Sequence, residues 1–303
     1  MIISASRRTD IPAYYSDWFF NRIKEGFVLV RNPMSYRRIS RVSLAPDAVD
    51  GIVFWTKNPA AMLARLDEIK DFMYYFLFTI TPYGKDIEPH LPSKGDVVLP
   101  VFKTLSSIIG ADRVIWRYDP ILINDTYTFD YHRRVFADMA EALHTYTRKV
   151  IISFIDASYR GVKSNTKELA LLDFPTTEQK VLASQLAEIA HRYGLAIESC
   201  ACKLDLRECG IEPARCIDDR LLGKLIGGVL PAKKDKNQRL ECGCISSVDI
   251  GMYNSCRNGC RYCYANYKKY AIDDIFANHS PASPLISGDV GEEDIVKDIV
   301  KDR

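Results

Sequence analysis

Six short runs of apolar residues recur over the first two thirds of the chain, at 1–5, 51–56, 74–81, 113–117, 150–155 and 195–199. Each is nearly continuous rather than alternating, as expected of strands buried on both faces. Longer stretches with helix signals lie between them. Asp10-Ile11-Pro12 reads as the entry to a helix that Gly26 ends, and Asn58-Pro59 opens another to about Ile69. A third runs from about Asp96 to a stop at Gly110, and a fourth, strongly periodic, spans about Phe129 to Thr145. Thr176-x-x-Gln179 has the form of a capping box before a helix closed by Gly194. Phe27 to Val30 and Ile39 to Leu44 predict a small hairpin-like insertion.

Strands alternating with helices predict parallel pairing with right-handed crossovers. The fold class is therefore α/β. Residues 1–200 are expected to form a (β/α)6-type barrel core, partial or closed, and a doubly wound open sheet is the alternative that hydrophobic pattern cannot separate from it. From Cys200 the pattern changes. Residues 201–270 are irregular and cysteine-rich, with one helix around Asp218 to Gly227, and are expected to pack as a cluster-binding segment on the barrel mouth. Residues 271–303 thin into a polar tail with a charged Asp, Ile, Val and Lys repeat, expected as a short helix or partly disordered.

Composition narrows the function classes. A net charge of +2, from 41 basic and 39 acidic residues, gives no global signal for nucleic acid. No apolar run approaches a bilayer span, so no membrane partner is expected. Met1-Ile2-Ile3-Ser4 lacks the basic region and cleavage site of a signal peptide. Nine cysteines without such a signal point to a cytoplasmic location and to metal binding rather than disulfides.

The densest chemistry is Cys256-Arg257-Asn258-Gly259-Cys260-Arg261-Tyr262-Cys263-Tyr264, a C-x3-C-x2-C loop. Three thiolates at this spacing can bind three irons of a [4Fe–4S] cube and leave the fourth open. Zinc is the competing reading, although it usually takes two C-x2-C pairs. Of the other cysteines, Cys200, Cys216, Cys242 and Cys244 can supply four thiolates to a second [4Fe–4S] cluster, or to zinc at the same ligands. Gly243 frees the backbone between two of them, while Cys202 and Cys209 are left out of this set.

In α/β folds the site lies at the carboxyl ends of the strands. Those ends carry Ser6, Arg7, Arg8 and Asp10 in the first case and Lys57 and Asn58 in the second. They carry Thr79 and Thr81 in the third and Arg117 and Asp119 in the fourth. Ser153 and Asp156 follow in the fifth, and Glu198 and Cys200 in the sixth. Lys57, Arg117 and Asp119 are the expected catalytic charges, facing the cysteine loop. Ser6, Arg7, Asn58, Thr79, Ser153 and Glu198 are the expected cofactor-binding groups. The histidines are scattered; His132, His144 and His191 are expected on helix surfaces, and His279 is a weaker candidate to fold over the site.

The cysteine loop, with an aromatic Tyr262 before its last cysteine, resembles the signature of the radical S-adenosylmethionine (SAM) enzymes, although that family carries it near the N-terminus. Phe54-Trp55-Thr56-Lys57-Asn58-Pro59 and Trp116-Arg117-Tyr118-Asp119-Pro120 resemble the "TK" and "R-x-DP" strand ends of its spore photoproduct lyase-like branch. Taken with Ser4-Ala5-Ser6-Arg7-Arg8-Thr9-Asp10-Ile11-Pro12, they resemble the bacterial family DUF1848 over most of residues 1–270. The resemblance implies a cube on Cys256, Cys260 and Cys263 whose open iron takes the amino and carboxylate groups of SAM. It also implies reductive cleavage of SAM to a 5′-deoxyadenosyl radical, a low-potential electron donor and an unidentified substrate. Two other classes stay open on the residues alone: an iron–sulfur electron carrier or sensor, and a zinc-stabilised nucleic-acid binder. The second would rely on Arg257, Arg261, Lys268 and Lys269 among tyrosines.

Overall fold

All six apolar runs become neighbouring parallel strands in the computed structural model, which describes residues 1–299. They are β1 (Ile2–Ala5), β4 (Gly51–Thr56), β5 (Tyr74–Thr79), β6 (Val114–Ile121), β7 (Lys149–Phe154) and β8 (Ala196–Ser199). The hairpin β2 (Phe27–Arg31) and β3 (Arg38–Ser43) is antiparallel and separate. Two strands that the pattern did not announce, β9 (Glu212–Pro213) and β10 (Val248–Asp249), add themselves to the two edges. The result is an eight-stranded parallel sheet in the order β10-β1-β4-β5-β6-β7-β8-β9. Both are two residues long, too short for hydrophobic periodicity to register.

Both faces of this sheet are covered, which is why its strands lack alternation. One face presents Ile3, Phe54, Phe76, Phe78, Trp116 and Ile152 to a helical layer. That layer includes α2 (Ser16–Glu25), α3 (Leu99–Ile109), α4 (Phe129–Leu143) and α6 (Thr176–Arg192), while α1 (Ile11–Tyr14) caps the end of β1. Trp116 stacks on Phe136 of α4 with ring centroids 4.9 Å apart. The opposite face presents Ile2, Val53, Tyr75, Leu77, Ile115 and Ile151. It is covered by the irregular segment after β8 and by α7 (Asp219–Ile226), through Ala214, Cys216, Ile217, Leu222, Cys244 and Ile245. The flanks of the two edge strands meet there: Ile245 donates its N–H to the Ile217 carbonyl at 3.2 Å. Gly243 lies so close to Ala214 that an added Cβ would stand 2.9 Å from its carbonyl oxygen. Only glycine fits that backbone approach.

Four local expectations are corrected. The segment Ala60–Ile69 is a run of 3₁₀ turns rather than an α-helix. The strand β6 runs through Asp119 and Pro120 to Ile121, absorbing the proline at a register shift against β7. Thr176 is inside α6 and caps nothing; Pro175 precedes it, and Gln179 instead donates to the Phe174 carbonyl at 2.7 Å. The stretch after α8 (Ala271–Ala277) docks. Trp18 donates to the Ser283 carbonyl, Arg22 to that of Ala282, and Leu285 and Ile286 are buried. The charged repeat forms β11 (Ile295–Ile299), parallel to β3, with Arg31 held by both oxygens of Asp294 at 2.7 and 2.8 Å. An edge strand with mostly exposed side chains has no apolar face to betray it. The last residues of the expected tail, 300–303, lie outside the described residues. Among the described residues no helix is long and apolar enough to cross a membrane.

His132, expected at the surface, is fully buried. Its ring nitrogens meet the Tyr118 hydroxyl and the Leu122 carbonyl, both at 2.8 Å. Burial lowers its pKa to about 4, against the Leu122 hydrogen bond, so the folded chain keeps it neutral. The unfolded chain takes up that proton near the ordinary histidine value. Stability is therefore full above about pH 6.5 and falls by up to about 3 kcal/mol as the pH drops to 4. Urea midpoints across this range for the parent and for His132→Gln should show the slope in the parent and its loss in the variant. Parallel slopes would contradict the burial of a neutral ring.

Candidate metal centre

The strand β10 brings the distant cysteine loop back to the start of the chain, and its Asp249 is the fastening. The carboxylate accepts from Ser4 Oγ at 2.9 Å, Ser6 Oγ at 2.6 Å, and the backbone N–H groups of Arg7 at 2.8 Å and Gly251 at 2.9 Å. Gly251 presses on Ser6, where a Cβ would stand 1.9 Å from Oγ. A second carboxylate, the buried Asp10, ties in the loop itself. It caps α1 through Ala13 N–H and accepts from the N–H of Lys57 at 2.8 Å and from Asn258 Nδ2 at 3.0 Å. Asn258 in turn accepts from the Tyr14 hydroxyl at 2.9 Å, and Tyr15 donates to the Ser255 carbonyl at 2.7 Å. The loop turns at Gly259, whose φ of +71° places it where side chains are strained. On its other side Asn165 Nδ2 donates to the carbonyls of Cys263 and Asn266, and Asn266 Nδ2 to that of Cys256. The fastening spares the sulfurs.

Cys256, Cys260 and Cys263 are electrostatic neighbours of one another. Burial pushes Cys256 up to about 12, and raises Cys260 and Cys263 as well. Backbone N–H groups of Asn258 and Asp10 reach the Cys256 sulfur, and those of Ala265 and Asn266 reach that of Cys263. A buried charge network lies beneath. Glu88, 1% exposed, pairs with Lys57 and Lys94, each at 2.7 Å, and accepts from Thr81 Oγ1 at 2.8 Å and from the Tyr262 hydroxyl. Burial alone would push Glu88 up, yet the two lysines hold it down at about 2. Burial would likewise lower Lys57, but Glu88 and the Cys260 sulfur raise it, so it keeps its proton beside the loop.

Cys200, Cys216, Cys242 and Cys244 form a second group on the inner face of the sheet. The sulfurs of Cys200 and Cys216 lie 3.4 Å apart, Cys244 Sγ accepts from the Ile217 N–H at 3.4 Å, and Cys216, Cys242 and Cys244 pack in one buried cluster. Arg117 reaches Cys200 and Arg7 reaches Cys244, and both guanidiniums stand over Trp55, at 4.8 and 5.5 Å. Among the described residues no group of three or more His, Cys, Asp or Glu side chains gathers closely enough to hold a single metal ion. A polynuclear cube takes one thiolate per iron and so needs its cysteines around its corners rather than around one point. The loop of three thiols, one buried and two half-buried, with N–H groups at two sulfurs and an ammonium at the third, fits that donor set.

The sequence-predicted charges are thereby divided. Lys57 meets the Cys256–Cys263 loop, whereas Arg117 and Asp119 form an ion pair with each other and Arg117 turns to the second thiol group. Ser6 is spent on Asp249, and Asn58 accepts from the Ala60 N–H at 3.3 Å at the start of the 3₁₀ turns. Thr79 ends β5 half-buried, and Ser153 bonds only the neighbouring Phe154 carbonyl, at 3.2 Å. Glu198 is held by Lys149 at 3.0 Å. His279 donates from Nδ1 to the Ile286 carbonyl at 2.7 Å, with its ring edge-on to Tyr15. Glu88, Lys94, Asn258 and Asp249 were missed. Glu88 and Asn258 sit on loops, Lys94 opens a π-helical turn (Lys94–Val98) and Asp249 lies on β10; only Asn258, inside the cysteine loop, carried a positional signal.

A protein-family model, "Domain of unknown function (DUF1848)", matches residues 2–265 of the chain. No curated protein and no solved structure matches.

Glu88→Gln should leave two buried ammonium groups without their counter-charge and cost about 3–5 kcal/mol in urea unfolding at neutral pH. Because Glu88 sits at about 2, below its ordinary 4.5, its contribution is present above pH 4.5 and lost as the pH falls from 4.5 toward 2. The variant should lack that acid limb. A loss under about 1 kcal/mol would mean that Lys57 and Lys94 are compensated elsewhere.

Proposed function

The chain belongs to the DUF1848 family, and from that membership we propose that it is an iron–sulfur enzyme of the radical SAM type. One observation carries the proposal. The C-x3-C-x2-C loop folds back onto the carboxyl ends of β1 and β4, with Cys260 buried and Cys256 and Cys263 half-buried beside Asp10 and Lys57. Cys256, Cys260 and Cys263 would each hold one iron of a [4Fe–4S] cube, leaving one iron for the amino and carboxylate groups of SAM. When bound, that pair of cofactors supplies a low-potential electron and the means to abstract a hydrogen atom from substrate.

The chain's own residues do the rest. Lys57 keeps a positive charge at Cys260 and Cys263 and so favours thiolate over thiol at both. The N–H groups of Asp10, Asn258, Ala265 and Asn266 do the same at Cys256 and Cys263. Tyr262, 9% exposed and fixed by Glu88, keeps water from the inner side of the loop. The proposal includes a barrel-like closure of the sheet, supported by the meeting of its edge flanks at Ile217 and Ile245. The cysteine-rich segment after β8 then serves as the iron–sulfur part. A low-potential electron donor is the partner such chemistry needs.

Anaerobic protein supplied with iron, sulfide, dithionite and SAM should release 5′-deoxyadenosine slowly without any substrate, and Cys260→Ala should abolish the release. Stoichiometric iron incorporation with neither SAM binding nor cleavage would overturn the proposal.

A further inference from the structure

The inner thiol group has a geometry that the first site does not require. Cys200 leaves β8, Cys216 follows β9, and Cys242 and Cys244 flank Gly243 ahead of β10. These are points up to 44 residues apart, yet Cys216, Cys242 and Cys244 lie in one buried cluster with Cys200 packed against it, and the Cys200 and Cys216 sulfurs are in contact. The Cys200 to Cys216 sulfur separation of 3.4 Å is close to the edge, about 3.8 Å, of a thiolate tetrahedron around an ion at about 2.3 Å. The two thiols outside this group behave otherwise: Cys209 donates to the Lys180 carbonyl at 3.6 Å, and Cys202 is half-buried.

A second observation is independent of the sulfurs. Three buried donor atoms around the group have no hydrogen-bond partner among the described residues: Arg7 Nη2, Arg117 Nε and Trp55 Nε1. Unsatisfied buried donors are rare, and three in one place indicate a missing acceptor. Asp119 occupies one side of Arg117, while Asp235 and Asp249 stand near Arg7, at 3.8 Å from Nη1 and on its backbone N–H. The remaining N–H groups have only sulfur to address. Neutral thiols accept weakly; metal-bound thiolates and bridging sulfides are anionic and accept well.

We infer that Cys200, Cys216, Cys242 and Cys244 bind a second metal centre, closed by four protein thiolates and hydrogen-bonded by Arg7, Arg117 and Trp55. Loading releases the thiol protons and gathers the four side chains around the metal. The four ligands come from the flanks of both edge strands, so the centre clasps the sheet together. An iron–sulfur cube and a single zinc ion share this thiolate chemistry. The inference does not rest on radical chemistry at the outer loop.

The test uses the full chain with Cys256, Cys260 and Cys263 all changed to Ala, which removes the outer site alone. Purified anaerobically and reconstituted with iron and sulfide, it should keep either about four irons with matching sulfide and visible absorption, or about one zinc. Both results support the inference and identify the metal. Adding Cys216→Ser and Cys244→Ser should remove the metal. Should those changes unfold the chain, alkylation of the triple-Ala protein decides, because the four thiols should be protected until a chelator strips the centre. A folded, metal-free triple-Ala protein whose four thiols alkylate at once, or that carries a Cys200–Cys216 disulfide, would overturn the inference.

Discussion

The architecture depends on one half-buried carboxylate. Asp249 accepts hydrogen bonds from two serine hydroxyls and two backbone amides that belong to β1 and to the turns on either side of the contact. The ladder between β1 and β10 spans only two residue pairs, so backbone hydrogen bonds alone hold it weakly. Charge-assisted hydrogen bonds contribute roughly 1.5–3 kcal/mol each, and a buried carboxylate with fewer partners would cost stability instead. The contact sets where residue 250 begins, and hence where the loop at 256–263 hangs relative to the ends of β1 and β4. Asp10, satisfied by Lys57 and Asn258, then fixes its tilt.

The two thiol groups are each accompanied by buried cations, and the pairing explains why such costly side chains are retained. Lys57 and Lys94 both pair with Glu88 under the outer loop, and Asp10 adds a second carboxyl group near Lys57. Arg7 and Arg117 flank the inner thiols, with Asp119, Asp235 and Asp249 around them. Desolvated cations are tolerated where an anion completes the site. Thiolates and the centres that they bind are such anions. Tyr262 and Trp55 add ring faces beneath Lys57 and beneath both arginines.

Most of the sheet was legible because strands covered on both faces leave continuous apolar runs, and Gly26, Gly110 and Gly227 marked where helices stop. Spacing set the outer cysteine loop apart, while strand ends and a Cys-Gly-Cys turn pointed to the other four cysteines, of which Cys200 and Cys216 lie 3.4 Å apart. What escaped was structure without periodicity. β9 and β10 are too short, β11 is polar, and Glu88 lies on an irregular loop where nothing in the chain marks it as buried. His132 escaped for the opposite reason: charged neighbours on α4 suggested a surface, yet helical geometry turns its own position inward, next to Phe136 and Met139. The separation of Arg117 from Lys57 is also tertiary. Both stand at strand ends, but Arg117 shares the inner face with Ile115, and the segment covering that face is reached only after β8.

The position of β1 between β4 and β10 has a consequence for biosynthesis. Its pairing with β4 forms as soon as residue 56 is free, but its other edge stays bare until residue 249 has left the ribosome. For most of translation the nascent chain therefore carries an open parallel edge of Ile3 and Ser4, the kind of template to which foreign strands attach. Chaperone cover of that edge is thus a need built into the topology. The outer cysteines emerge later still, so a chain truncated before 249 has neither a finished edge nor the loop that carries Cys256, Cys260 and Cys263.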